Sequence, residues 1–129
     1  MKNGNFVTYK GKEYIFYKNF DKTVTLVSID KSDVNLGFTY TLGQLTKTLN
    51  LTEIEGAYAI RTYGIYKGYT FAVRDEENNK YHLEGGYNND IMIRLDFEMI
   101  ERGVYRKYVS KDELEKIWEE KTPLMGFKI

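Results

Sequence analysis

The sequence predicts a mainly β fold: two small barrels in tandem, packed together, with a short C-terminal helix. Three observations lead there. Long stretches alternate apolar and polar residues with a period of two, as strands buried on one face must. One pattern of such stretches occurs twice, 57 positions apart. Helical periodicity is confined to one charged segment near the C-terminus. The 129 residues suffice for one ordinary domain or two very small ones, and the repeat sets the boundaries at 1–57 and 58–129.

The first unit opens on Tyr9-Lys10-Gly11, a tight turn in which glycine supplies a positive φ. Strands come next at 13–18 and 23–29, with Asp21 and Lys22 as turn chemistry between them. Val34, Leu36, Phe38, Tyr40 and Leu42 alternate with Asn, Gly and Thr, which predicts one long half-buried strand over 34–42. Leu51 to Glu55 is short and is stopped by Gly56, so a single helical turn is expected there.

The second unit repeats this order. Tyr66-Lys67-Gly68 answers Tyr9-Lys10-Gly11, Phe71 answers Tyr14, Leu83 answers Leu26, and Asp90 answers Asp33. Strands are predicted at 57–66, 69–74, 80–84, 91–99 and 102–109. The register then slips by three, so that Leu49-Asn50 meets Val109-Ser110. Identity between the copies is low; alternation, turns and closing segments coincide in order. A helix is predicted over 111–120, with Ser110 and Glu113 as a capping box and Leu114, Ile117 and Trp118 as its apolar stripe. Trp118 is expected in the core. Thr122-Pro123 ends the helix.

Composition removes several kinds of chemistry. Cysteine is absent, which excludes disulfides, thiolate catalysis and Cys-ligated metals. A single histidine excludes a multi-histidine metal site within one chain. Lysine plus arginine equals aspartate plus glutamate at 19 each, so net charge supplies no attraction to a duplex or an anionic membrane. No apolar stretch approaches the roughly 18 residues of a membrane helix, and the N-terminus lacks the apolar core of a signal peptide. The expected location is the cytoplasm, with which the lack of cysteine agrees.

The remaining candidates are ordinary polar groups. His82 and Glu84, two apart on one strand, share an outward face and have the makings of a general base. No nucleophile accompanies them, and the repeat places Thr25 at the position of His82. Asp75-Glu76-Glu77 beside Asn78-Asn79 offers hard oxygen ligands but lacks the alternating spacing of a calcium loop. Gly85-Gly86 comes after a strand without opening a helix, so it lacks the context of a phosphate cradle. No cofactor is expected.

Tyrosine carries the strongest signal. There are 12, with seven phenylalanines and one tryptophan. Tyr9, Tyr63, Tyr66, Tyr69 and Tyr105 are the predicted binding residues, because tyrosine offers rigid contact area with a polar tip. The same residues also suit packing between the two halves. Lys10, Lys12, Lys18, Arg61, Lys67, Arg106 and Lys107 interleave with tyrosines as single-stranded nucleic acid would favour, but acidic residues interleave equally.

A unit of about 57 to 60 residues with four or five short strands and one closing turn matches a small SH3-like barrel. Tyr9-Lys10-Gly11-Lys12-Glu13-Tyr14, the strand end Ser28-Ile29-Asp30 and the segment Lys111-Asp112-Glu113-Leu114-Glu115-Lys116-Ile117-Trp118-Glu119 resemble small bacterial cytoplasmic proteins of tandem SH3-like type. Some of these are immunity proteins that block a toxin made by the same cell. The resemblance implies a non-enzymatic protein-binding module, acting by occlusion of a partner toxin's cleft. A nucleic-acid-binding or regulatory adaptor is the alternative, with a small enzyme using His82 and carboxylates ranked third. No membrane partner is expected, and nucleic acid has little charge support.

Overall fold

A computed structural model describes residues 2–127. Among the described residues the chain is mainly β, with eleven strands. It divides into two compact units. Among the described residues the first comprises Gly4–Ala59 with 121–127, and the second comprises Ile60–Glu120 with Lys2 and Asn3.

In the first unit β1 (Gly4–Tyr9), β2 (Lys12–Lys18) and β3 (Thr23–Ser28) form an antiparallel meander. A 3₁₀ turn (Lys31–Leu36) leads to β4 (Thr39–Thr41) and β5 (Gln44–Asn50), which returns to pair with β3. A second 3₁₀ turn (Leu51–Glu53) closes the unit. The strand path is β4-β5-β3-β2-β1.

β6 (Gly56–Tyr66) passes from the first unit into the second, where β7 (Tyr69–Glu77) and β8 (Lys80–Gly85) continue the meander. The short helix α1 (Asn89–Arg94) precedes β9 (Glu98–Glu101) and β10 (Val104–Ser110), and β10 returns to pair with β8. A 3₁₀ turn (Lys111–Glu113) leads to β11 (Lys116–Pro123), which pairs with β6. The path is β6-β7-β8-β10-β9. Neither path closes into a barrel: among the described residues β4 pairs with β5 alone and β9 with β10 alone.

The same devices recur in both units. The turns Lys10–Gly11 and Lys67–Gly68 hold both residues at positive φ, the conformation of a two-residue hairpin that matches strand twist. Asn50 with Glu53, and Ser110 with Glu113, form matching capping boxes. Tyr9, Tyr14, Leu26, Phe38 and Leu49 are buried in the first core, and Tyr66, Phe71, Leu83, Phe97 and Val109 in the second. Strands expected at 13–18, 23–29, 57–66, 69–74, 80–84 and 102–109 are present to within a few residues at their ends.

Three expected elements are corrected. The strand over 34–42 is a 3₁₀ turn and then a three-residue strand. The Asp30 side chain accepts from Ser32 N–H at its start, and Gly37 ends it in the left-handed region. The strand over 91–99 is α1 and then β9. Met92 and Leu95, three apart, both enter the core, which helical spacing allows and alternation forbids. The C-terminal helix over 111–120 is one 3₁₀ turn and then β11. Its capping box forms, but the next residues pair with β6 as a strand. Leu114 packs on the second core, as expected of the stripe, while Trp118 is only half-buried.

Candidate functional site

The most strongly built polar site lies in the first unit, where β2 and β3 end beside the 3₁₀ turn. Lys12 is the first residue of β2, directly after the Lys10–Gly11 turn; Ser28 is the last of β3. Asp30 caps the 3₁₀ turn, its Oδ1 accepting from Ser32 N–H at 2.9 Å and from Ser32 Oγ–H at 2.7 Å. One step further along the turn Asp33 points inward and is 1% exposed. A buried carboxylate is tolerated only when its oxygens are satisfied. Here Lys12 Nζ donates to Asp33 Oδ1 at 2.7 Å, and Ser28 Oγ donates to Asp33 Oδ2 at 2.6 Å. Lys12 also donates to Asp30 Oδ2 at 3.0 Å.

These bonds fix the charges. Burial alone would raise the Asp33 carboxyl, but hydrogen bonds from Lys12 and Ser28 outweigh it and hold it below the ordinary aspartate range. Ser32 and then Lys12 hold Asp30 down to about 2. The two carboxylates hold the Lys12 ammonium well above an ordinary lysine. Burial, reinforced by the neighbouring Asp33 carboxylate, pushes Tyr14 up to about 12. The Tyr14 hydroxyl is enclosed and makes no well-formed hydrogen bond among the described residues, although the Asp33 carboxylate stands close enough to hold its proton on. In this arrangement the Ser28 hydroxyl is committed as a donor to Asp33 Oδ2.

The cluster floors a cleft of about 300 Å³ with Phe6, Ile15, Val27 and Ile29 on its walls. The second unit carries a cleft of about 330 Å³ lined by Tyr63, Thr70, Phe71, Ala72, Glu84, Gly85, Gly86 and Tyr87. Each of these eight residues stands 57 positions after a residue of the first cleft: Phe6, Glu13, Tyr14, Ile15, Val27, Ser28, Ile29 and Asp30. One cleft thus occurs twice with different chemistry. Tyr69 stands where Lys12 does, and Phe71 where Tyr14 does. Gly85 replaces Ser28, and a Cβ there would meet Phe71 Cδ1 at 2.6 Å, so the second cleft has no room for the serine. Its wall is aromatic: Tyr87 stands edge-on to Phe71, with centroids 5.4 Å apart, and to Tyr69, 5.2 Å apart.

The predicted tyrosines are distributed unevenly. Tyr9, Tyr66 and Tyr105 are core residues, buried because they lie on the inward faces of β1, β6 and β10. Tyr63 lines the second cleft and stacks near Trp118, with centroids 6.0 Å apart. Tyr69 is half-buried and accepts from Arg94 Nη2 at 3.0 Å. Sequence reasoning did not single out Lys12, Tyr14, Ser28, Asp30 and Asp33 as a group. The available signal was an aspartate inside an otherwise apolar repeat position, but the ungapped register paired Asp33 with Asp90 and hid it.

His82 sits between carboxylates, Nδ1 lying 3.4 Å from Asp75 Oδ2 and Nε2 3.7 Å from Glu84 Oε2. Its ring stacks on Tyr108 at 4.9 Å, which covers most of the side chain. Glu76 pairs with Lys111. Among the described residues no group of three or more potential ligands is placed to hold a metal ion. No described helix is long and apolar enough to cross a membrane.

The fold and its clefts define a two-unit β protein that presents one groove twice, once ionic and once aromatic. The family model described as "Uncharacterised conserved protein UCP033725" matches residues 1–125, and the chain belongs to that family. No curated protein and no solved structure matches the chain.

Proposed function

We propose that the chain is a non-enzymatic protein-binding module that docks its partner on the first-unit cleft. The observation that carries this reading is the apolar rim above an ion-paired floor: Ile29 is 100% exposed and Ile15 50%, both beside the Asp33 cluster. Exposed aliphatics beside a built polar floor resemble the apolar centre of an interface more than a solvated surface. Occlusion of a toxin's active cleft in the cytoplasm is the use implied by the likeness to tandem SH3-like immunity proteins. A reducing compartment fits a chain without cysteine.

The test is capture from an extract of the native source at low and high salt, with the full chain and with Ile15→Glu and Ile29→Glu. A single protein retained stoichiometrically at high salt, and lost from both variants while their melting is unchanged, is the expected result. Retention unaffected by either variant places binding elsewhere. Nucleic acid that washes off with salt, as counterion release requires, replaces this reading with the adaptor.

A further inference from the structure

We propose that the first-unit cleft receives an arginine side chain of the partner, an inference that rests on the docking reading above. The cleft is rich in acceptors and poor in donors. Glu13, Asp30 and Asp33 bring three carboxylates against the single ammonium of Lys12. Lys12 is already committed to Asp30 and Asp33. An incoming anion therefore meets excess negative charge and no uncommitted cation in the lining.

The Tyr14 hydroxyl supplies a second and independent indication. Its residue is 4% exposed and lines the cleft, yet its oxygen has no hydrogen-bond partner among the described residues. A buried polar atom without a partner is costly, and a donor entering the cleft removes that cost. A guanidinium brings five N–H donors in a planar fork and is more weakly hydrated than an ammonium. Glu13 already accepts from Tyr58, and Asp30 from Ser32 and Lys12, but a carboxylate has about four acceptor sites, so a guanidinium still finds capacity at both and at the Tyr14 oxygen. Its aliphatic stem suits the walls formed by Phe6, Ile15, Val27 and Ile29.

The second cleft acts as an internal contrast. Thr70 and Tyr87 stand at the places of Glu13 and Asp30, and Glu84 is its one charged lining residue, already 3.9 Å from Arg74 Nε. The equivalent groove therefore lacks the acceptors for a guanidinium.

The experiment is an amide-resolved NMR titration of the full chain with N-acetyl-arginine amide and with N-acetyl-citrulline amide, which has the same shape without the charge. Arginine is expected to shift Tyr14, Ile15 and Ile29 saturably. Citrulline should bind about tenfold more weakly, the loss of a charge-assisted hydrogen bond. Glu13→Gln and Asp30→Asn should each weaken arginine about fivefold or more; Glu13→Gln leaves thermal unfolding near that of the parent, whereas Asp30→Asn lowers it by removing the carboxylate paired with Lys12. No shift at these amides, equal binding of citrulline, or arginine binding that survives both variants overturns the proposal. If Ile15→Glu and Ile29→Glu abolish capture of a protein but arginine does not bind, the docking reading stands and the arginine inference falls. If arginine binds and no protein is captured, the reverse holds.

Discussion

The two units differ most where they are built most alike. Asp33 and Met92 each lie just beyond the third strand of their unit, inside a short helical turn, and each is fully buried. Each offers its carbonyl to the amide of a buried phenylalanine: Phe38 N–H donates to Asp33 O at 3.2 Å, and Phe97 N–H to Met92 O at 2.9 Å. One unit fills the position with an ionised carboxylate, the other with a flexible apolar side chain. The supporting residues changed with it: Lys12, Tyr14 and Ser28 stand against Tyr69, Phe71 and Gly85. An apolar solution is therefore available to this architecture, and a buried ion pair is rarely more stable than a packed apolar substitute. The ionic version is better understood as serving the cleft it floors than the core behind it.

Exchanging the two solutions should break that equivalence at known cost. Met92→Asp buries a carboxylate with no ammonium at the Lys12-equivalent position, and should cost about 4 kcal/mol or more in urea unfolding. Met92→Leu, a conservative control, should cost less than about 1.5 kcal/mol. Asp33→Ala leaves Ser28 without its acceptor and Lys12 with Asp30 alone, for a loss of about 3 kcal/mol. The sharper test is the full transplant, Lys12→Tyr, Tyr14→Phe, Ser28→Gly and Asp33→Met together. It should recover stability to within about 1 kcal/mol of the parent. A transplant as unstable as Asp33→Ala would show that the two positions are not equivalent.

Acid should find the same difference. Asp30 and Asp33 are held below their unfolded value of about 3.9. Their contribution is therefore present above about pH 4 and lost as pH falls through the folded values, near 2 for Asp30. Lys12 and Tyr14 are raised, so their contribution is present below about pH 10 and lost in stronger alkali. Hydrogen exchange monitored from pH 5 to pH 2 should show protection at Ser28, Asp33 and Phe38 falling before that at Leu83, Met92 and Phe97. In the transplant, which removes Asp33, this gap should narrow. Simultaneous loss in the parent would mean that the carboxylates do not set the acid stability of the first unit.

The sequence displayed the repeat because its markers are local. The Tyr-Lys-Gly turns, the alternating strands and the apolar core positions each depend on neighbours two to four residues away. The clefts were not legible, since Lys12, Ser28 and Asp33 meet only when β2, β3 and the 3₁₀ turn are assembled. The stretches around Leu36 and Leu95 misled because alternation was taken for burial: Val34, Tyr40, Leu42, Ile93 and Met99 are all exposed. Ser110 and Glu113 signalled a helix start correctly, yet a capping box fixes only the first turn. The course of the chain beyond that turn depends on which strand it can pair with, and here it pairs with β6. Tyrosine is a poor guide to the surface because aromatic residues suit interfaces and cores alike, and three of the five predicted tyrosines went to the cores.

The smallest effect tests whether the repeat extends to single hydrogen bonds. Gly11 N–H donates to Glu55 Oε1 at 3.1 Å, and Gly68 N–H donates to Glu115 Oε1 at 2.9 Å. In both cases the glutamate's own amide is tied back to the hairpin, Glu55 N–H to Thr8 O and Glu115 N–H to Ile65 O, each at 2.8 Å. The clamp joins the first turn of each unit to its closing segment, so it constrains residues far apart in sequence. Both carboxylates are solvent-facing, which keeps their value modest. Glu55→Ala and Glu115→Ala should each cost about 1 kcal/mol, and the double variant should lose the sum to within about 0.5 kcal/mol, because the bonds share no partner. Exchange of the Gly11 and Gly68 amides should speed up only where the partnering glutamate is removed. Unequal costs would locate a second divergence between the units, at their turns rather than their clefts.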